Sequence, residues 1–202
     1  MKRIKKSFLF FFCCLILTAC PVADKDNGLK KFKENHFDFS DFKRCYHKGI
    51  YFFLPSYFRQ DYNKSYLYKK DGISLVNDEN GIFFSCERFD ENEVEDYKFA
   101  FQDKKNSLDV VHAFYIEERR NSMEDVRISL LHQVKQKNKS KVFYQVIEGS
   151  KYSYGTKMVY FVGTGEKKIQ EKTFYYVFQM VSTKEISAYL IDDFRTILSR
   201  IY

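Results

Sequence analysis

Short runs rich in aromatic and β-branched residues alternate with turn residues along the middle and the end of this chain, a pattern that predicts β-strands. The first predicted strand ends at Pro55, which lacks the backbone N–H that a central strand needs. Asp71-Gly72 predicts a two-residue hairpin turn and residues 77–81 predict a second turn, so the first strands form an antiparallel meander. Strands are predicted over residues 50–54, 65–70, 73–77, 82–89, 142–148, 156–163 and 173–181.

Three other stretches repeat their apolar residues at the spacing of an α-helix. These predicted helices cover residues 108–115, 123–134 and 186–201. The first two are separated by a break near Asn121, and Ser122 with Asp125 forms a Ser-x-x-Asp capping pattern before the second. The last helix follows a capping box at residues 182–185.

The order of these elements is strands, then helices, then strands and a final helix, which indicates an α+β domain. We expect an antiparallel β-sheet of about six strands with helices packed on its faces, an α/β/α sandwich. The 22 Phe and 16 Tyr residues lie largely in the predicted strands, where aromatic side chains suit a half-buried pleated surface. Core packing therefore explains them better than an aromatic platform for ligands.

The N-terminus has the features of an export signal. Basic residues within positions 2–6 precede an apolar run over 8–17, and small residues follow. A permanent transmembrane helix needs about 20 apolar residues to cross a hydrocarbon layer of about 30 Å, and this run is too short for that. We therefore interpret residues 1–19 as a signal peptide.

The end of this signal, Leu17-Thr18-Ala19-Cys20, resembles the lipobox of bacterial lipoproteins. The resemblance implies that the Cys20 thiol receives a diacylglycerol, that the signal is cut before Cys20, and that the new amine is open to acylation, for example with palmitate. The protein would then be held on a lipid bilayer, because two or more acyl chains anchor stably. Pro21 stands where an aspartate would resemble an inner-membrane retention signal, which favours the outer membrane. An ordinary signal peptide with an incidental Cys20 is the alternative.

Cleavage before Cys20 changes the charge balance. The full chain of 202 residues has 34 Lys and Arg against 27 Asp and Glu, a net charge of +7. The signal contains four of those cations and no acid, so residues 20–202 carry 30 minus 27, or +3. A surplus this small is typical of a solvated surface, and we expect no nucleic-acid partner.

Residues 20–45 are polar and charged, and we interpret them as a lipidated N-terminus and tether before a single α+β domain at 46–202. The mature chain keeps two further cysteines, Cys45 and Cys86. In an oxidising compartment they could form a disulfide, whose loop of about 40 residues would stabilise the fold by roughly 4 kcal/mol. Two buried free thiols are the alternative, and the sequence favours neither.

The predicted elements from residue 46 to 202 resemble the Mog/PsbP-like fold, a family of α/β/α sandwiches with bacterial lipoprotein members. The resemblance rests on the strand at 49–54 that runs into Pro55, on the last two strands as a hairpin, and on the closing helix. The chain lacks the Trp that many members have after this proline; Tyr57 and Phe58 occupy the region. The resemblance implies a non-enzymatic accessory or binding subunit of a larger assembly.

The histidines, acidic segments and glycines of the chain form no catalytic or metal-binding motif, and we expect no metal and no cofactor. The histidines lack ligand spacing: His36, His47, His112 and His132. The acidic segments 77–81 and 90–96 lack the spacing of a calcium loop, so we interpret them as solvated turns. Gly163-Thr164-Gly165 lacks the Lys and the following helix of a phosphate loop and is interpreted as a hairpin turn.

These observations lead to one expected function and two alternatives. We expect a membrane-anchored cell-envelope lipoprotein that serves as a non-catalytic binding or assembly subunit for an envelope protein. The first alternative is an envelope hydrolase that combines His112 with acids of 90–96, and the second is a carrier of small ligands or lipids. Two groups of lysines form a solvated face or a contact for anionic lipid headgroups or cell-wall polymer. They are Lys135, Lys137, Lys139 and Lys141, and later Lys167, Lys168 and Lys172.

Overall fold

The structure is a computed structural model that describes residues 42–58, 72–77, 80–136, 141–151 and 155–202. In chain order its elements are β1 (Phe42–His47), β2 (Ile50–Pro55), β3 (Gly72–Asn77), β4 (Ile82–Asp90), α1 (Glu91–Lys98), α2 (Ser107–Arg120), β5 (Met123–Ile128), β6 (His132–Val134), β7 (Val142–Lys151), β8 (Lys157–Ile169), β9 (Lys172–Thr183) and α3 (Lys184–Ser199). Among the described residues, no helix has the length and apolar character needed to cross a bilayer.

Within the described residues, seven strands form one antiparallel sheet in the order β3-β4-β9-β8-β7-β5, and β6 also pairs with β7. One hydrophobic core lies between this sheet and α3 together with the small β1–β2 sheet. A second core lies between the large sheet and helices α1 and α2. The α+β class is confirmed, with seven strands in the large sheet where the sequence predicted about six.

The β1–β2 hairpin begins earlier than the sequence analysis placed the domain. Phe42 pairs with Pro55, and the antiparallel register continues to His47 and Ile50. Residues 42–45, which were assigned to the tether, are therefore part of a strand. A two-residue turn with positive φ at Lys48 (40°) and Gly49 (101°) joins the strands, and such a turn matches the twist of a hairpin.

The predicted helix over residues 123–134 is wrong, because these residues form β5 and β6 along the edge of the sheet. Asp125 adopts a φ of 51°, and the register with β7 shifts between Glu124 and Arg127, as in a β-bulge. The bulge adds a residue to the strand, so Met123 and Val126, three residues apart, both pack against the core under α1 and α2. Pairing with β7 decides the structure here.

The predicted turn at Gly163-Thr164-Gly165 is also wrong, because these residues lie inside the 13-residue strand β8. A side chain at Gly163 would clash, since its Cβ would lie 2.8 Å from the methyl carbons of Leu198 on α3. Glycine at this position therefore lets α3 approach the sheet. The hairpin turn between β8 and β9 lies at Gln170 and Glu171, both with positive φ.

The acidic segment 90–96 forms most of a helix and not the solvated turn that was predicted. Asp90 caps α1 by accepting a hydrogen bond from the backbone N–H of Glu93 at 3.0 Å, and Glu93 accepts one from the backbone N–H of Asp90 at 2.8 Å. Acidic residues in the first turn also suit the helix dipole. Val94 is fully buried against α2 and the sheet, so the helix has one apolar anchor.

Other local predictions are confirmed. β3 and β4 pair in antiparallel register as predicted, with Asn77 opposite Ile82. Helix α2 begins after Asn106, which caps it, and α3 buries the predicted apolar stripe. The predicted strand 65–70 and Asp71 lie outside the described residues.

Candidate interaction surface

The outer side of the β1–β2 sheet presents aromatic side chains to solvent. Successive residues of a strand point to opposite sides, so one side enters the core while the other stays exposed. Tyr46 is 59% exposed, and its neighbours on this side are exposed or half-buried. We call this cluster the aromatic face; it comprises Arg44, Tyr46, Tyr51, Phe53 and Tyr202.

The side chains of the aromatic face contact one another. Tyr46 and Tyr51 stand opposite each other across the hairpin, with ring centroids 4.9 Å apart. The guanidinium of Arg44 lies 4.1 Å from the centroid of the Tyr51 ring, a cation–π distance. Phe53 and Tyr202 meet edge to face at 6.4 Å. The result is one continuous surface of aromatic rings with a positive charge.

The backbone beneath the aromatic face is held on several sides. Tyr51 donates its backbone N–H to the carbonyl of Tyr202 at 3.0 Å, and Tyr202 donates back to Tyr51 at 2.9 Å. The hydroxyl of Tyr176 on β9 donates to the carbonyl of Lys48 at 2.9 Å. On the inner side of the hairpin, Phe52 is fully buried. The face is therefore part of the rigid domain and not a loose extension of it.

Two buried histidines have a lowered pKa. His47 lies on the inner side of β1, where burial and then the charges of Lys48 and Arg88 lower its pKa to about 4. Burial also lowers the pKa of His112 on α2 to about 4, against a smaller raising effect of its hydrogen bond with Gln145. Both are neutral at pH 7, so neither supplies a cation to the surface.

These histidines predict that the protein loses stability as the pH falls below about 6.5. An unfolded histidine has a pKa of about 6.5, so between that value and about 4 the unfolded state binds protons that the folded state does not. Each such histidine lowers the free energy of unfolding by at most about 1.4 kcal/mol per pH unit in this window. Urea denaturation of wild type and H112Q at pH 7 and pH 5.5 checks this. Equal stability of the wild type at both pH values would contradict it.

His112 belongs to a buried polar layer between α2 and the large sheet. Its Nδ1 lies 3.0 Å from the hydroxyl of Thr164, and its Nε2 lies 3.0 Å from the amide oxygen of Gln145. Along the same helix, the Tyr115 hydroxyl donates to the carboxylate of Glu87 at 2.7 Å. Both ring nitrogens of His112 are thus engaged with neutral groups.

The structure does not bring the acids of 90–96 onto His112 as the hydrolase alternative requires. Glu91 instead accepts hydrogen bonds from Ser107, Tyr175 and Lys98. Burial acts to raise the pKa of Glu91, but these hydrogen bonds outweigh it and the pKa is lowered. Glu91 therefore joins α1 to α2 and β9 as an ionised structural group.

Cys45 and Cys86 are not joined by a disulfide bond. They lie in different sheets, and their cross-strand neighbours Phe52 and Phe178 pack their rings at 5.7 Å between the sheets. Burial, and then the charge of Glu87, raise the pKa of the Cys86 thiol. Of the two alternatives, the structure has buried thiols that pack as small apolar groups.

The described residues offer little room for an apolar ligand. A cavity of about 10 Å³ lies between the large sheet and the C-terminal residues, which is about the space that one water molecule needs. A wider cleft of about 340 Å³ beside α2 is lined largely by polar groups, including Lys98, Lys104 and Lys105. Neither is the open apolar pocket that a lipid carrier needs. In the described part of the chain, no three His, Cys, Asp or Glu side chains are grouped to hold a metal ion.

Several predicted site residues have different surroundings or fall outside the structure. His132 stacks on Tyr144 at 5.0 Å at the edge of the sheet. Lys135 and Lys141 are exposed. Outside the described residues lie Cys20, His36, Lys137 and Lys139.

Sequence reasoning did not identify the aromatic face. Its signal in the sequence is the alternation of Arg44 and Tyr46 before the turn with Tyr51 and Phe53 after it. Both sides of β2 are apolar, so this pattern leaves open which side packs on the core. The packing of the small sheet on the large one decides that.

Comparison with known proteins identifies the fold of this chain and no more specific property. No protein-family model matches the chain, and no curated protein matches it in sequence. Among solved structures, the Ran-binding protein Mog1p of Saccharomyces cerevisiae is 11% identical with a TM-score of 0.50, over 80% of this chain and 95% of Mog1p. LpqN of Mycobacterium tuberculosis, involved in cell envelope biogenesis, is 12% identical with a TM-score of 0.49, over 85% and 93%. The similarity to Mog1p confirms the predicted Mog-like α+β fold.

Proposed function

We propose that this protein is a lipoprotein of the bacterial cell envelope whose domain acts as a non-catalytic binding or assembly subunit. The lipobox-like residues Leu17-Thr18-Ala19-Cys20 support acylation at Cys20 and a membrane anchor. Pro21 favours the outer membrane. Incorporation of labelled palmitate into the wild type, and its loss in C20A, tests the acylation directly.

The aromatic face is the observation that carries the binding role. Tyrosine and arginine, with tryptophan, are enriched in the hot spots of protein interfaces. Tyrosine supplies a large contact area and a hydrogen bond with little loss of side-chain entropy. Tyr46 and Tyr51 are exposed on this face, although aromatic residues elsewhere fill both cores. A preformed backbone also lowers the entropic cost of binding.

The partner that suits this face is an envelope protein with an acidic and apolar surface. Arg44 is exposed on this face and adds positive charge beside the tyrosine rings. Carboxylates on the partner would pair with its guanidinium, and apolar side chains would pack on the rings. The domain would thus hold its partner close to the membrane that anchors it.

Photocrosslinking in cells is expected to capture this partner at the aromatic face. A photoreactive amino acid in place of Tyr202, which is 46% exposed on this face, should give a discrete crosslinked species, and Y46A with Y51A should lower its yield about tenfold or more. The matched control is the same photoreactive residue at Phe99, which is exposed on the opposite side of the large sheet. Equal crosslinking from both positions, or a yield that the alanine variants do not change, would contradict the proposal.

A further inference from the structure

Two consecutive leucines project from the edge of the large sheet. Leu130 is 83% exposed and Leu131 is 55% exposed, in the short connection between β5 and β6. Exposed single leucines are ordinary, but two adjacent ones at a sheet edge form an apolar projection.

The geometry of this connection is a β-bulge. Ser129 donates its backbone N–H to the carbonyl of Val146 at 2.9 Å, and His132 stands opposite Tyr144. The two leucines therefore face the single residue Gln145 on β7. The extra residue bends the edge strand and turns the leucines towards solvent.

The bulge is fixed by hydrogen bonds to the chain around it. The Ser129 hydroxyl accepts from the backbone N–H of Val146 and donates to the carbonyl of Leu130, both at 2.9 Å. The side-chain amide of Gln145 donates to the carbonyl of Ser129 at 2.8 Å. The exposed leucines thus have a defined position at the sheet edge.

This network continues into the buried polar layer under α2. Because the amide nitrogen of Gln145 donates to Ser129, its oxygen accepts from Nε2–H of His112. The other nitrogen of His112, Nδ1, then accepts from the hydroxyl of Thr164, which is fully buried. Three side chains, those of Gln145, His112 and Thr164, therefore connect the backbone of the bulge to the centre of the sheet.

Positive charge flanks the bulge. Residues 128–136 and the facing residues 141–147 contain Lys135 and Lys141 and no carboxylate. Arg127, which lies opposite Glu148 on β7, is exposed just before the bulge. Protruding leucines on an edge that also carries exposed cations match the interface of an anionic bilayer, where apolar groups enter the acyl boundary and cations meet headgroups.

We propose that the Leu130–Leu131 bulge is a second membrane contact, which inserts into the interface of an anionic leaflet and orients the domain on it. The inference rests on the proposed anchor, because acylated Cys20 would keep the domain beside a bilayer. Only 21 residues separate Cys20 from Phe42, and they span at most about 70 Å. The aromatic face lies on a different part of the domain and stays available to a protein.

The absence of tryptophan from the chain allows a direct test. The mature chain, residues 20–202 with C20S, is prepared with the single substitution L130W, so that no acyl group contributes to binding. With vesicles of phosphatidylethanolamine and phosphatidylglycerol, we expect the emission of L130W to shift to the blue and to be quenched by brominated acyl chains. Adding L131D should weaken vesicle binding about tenfold or more. The matched control is F99W, which replaces an aromatic residue that is 85% exposed, and it should not respond.

Several results would overturn this inference. One is an emission spectrum of L130W that anionic vesicles leave unchanged, and another is an equal spectral response from F99W. A third is a blue shift of L130W that appears without vesicles and grows with protein concentration, because it would indicate a contact between copies of the protein. A response only to a protein partner would also overturn it. Because the C20S chain carries no anchor, failure here says nothing against acylation, which palmitate labelling reports separately.

Discussion

Replacing Cys20 with alanine is expected to move the protein from the membrane fraction to the soluble fraction, with a loss of membrane association of about a hundredfold or more. Each acyl CH₂ that enters the bilayer contributes about 0.8 kcal/mol, so losing a diacylglycerol removes far more binding energy than any surface contact supplies. The measurement is fractionation of cells that express the wild type or C20A, with labelled palmitate to report acylation.

The matched control for this experiment is C13A, because Cys13 lies in the apolar part of the signal and outside the lipobox-like residues. We expect C13A to remain in the membrane fraction with its label. If C20A also stays with the membrane, or if the wild type takes up no label, Cys20 is not an anchor and the proposed localisation is wrong.

Replacing Phe194 with alanine is expected to lower the free energy of unfolding by about 3–5 kcal/mol. Phe194 is fully buried on α3, and its ring lies 6.1 Å from Tyr144 and 5.6 Å from Phe161. Truncation to alanine leaves a cavity that these rings cannot fill. Since small domains are stable by only about 5–15 kcal/mol, this one change removes a large part of the total.

Urea denaturation measures this effect, and F99A is its control. Phe99 is exposed, so its truncation should change the stability by no more than about 0.5 kcal/mol. F194L keeps the fold measurable if F194A does not fold, and it should lie between the wild type and F194A. Equal stability of F194A and F99A would show that α3 does not pack as described.

The regular elements could be predicted because their neighbours in sequence determine them. The buried stripe of α3 repeats with the helical period, and the β3–β4 hairpin follows from turn residues between two apolar runs. The Mog-like order of the elements also follows from these local patterns. Similarity to Mog1p confirms it.

Predictions failed where distant parts of the chain decide the structure. Met123 to Val134 has helical spacing, but two bulges and pairing with β7 make it a sheet edge. Gly163 lies in a strand because β8 pairs there with β7 and β9, and α3 packs closely against it. No local pattern reports these contacts. The sequence left open whether Cys45 and Cys86 form a disulfide, because the distance between them depends on how the two sheets pack.

The sequence by itself determined the α+β class and the closing helix, and it contains the lipobox-like residues 17–20, because each of these features depends on residues close together in the chain. Only the tertiary structure decided which side of β1–β2 faces solvent, and that Leu130 and Leu131 project from the sheet edge. A residue becomes exposed or buried through what packs against it. For both candidate surfaces, those packing residues come from distant strands and from the C-terminus.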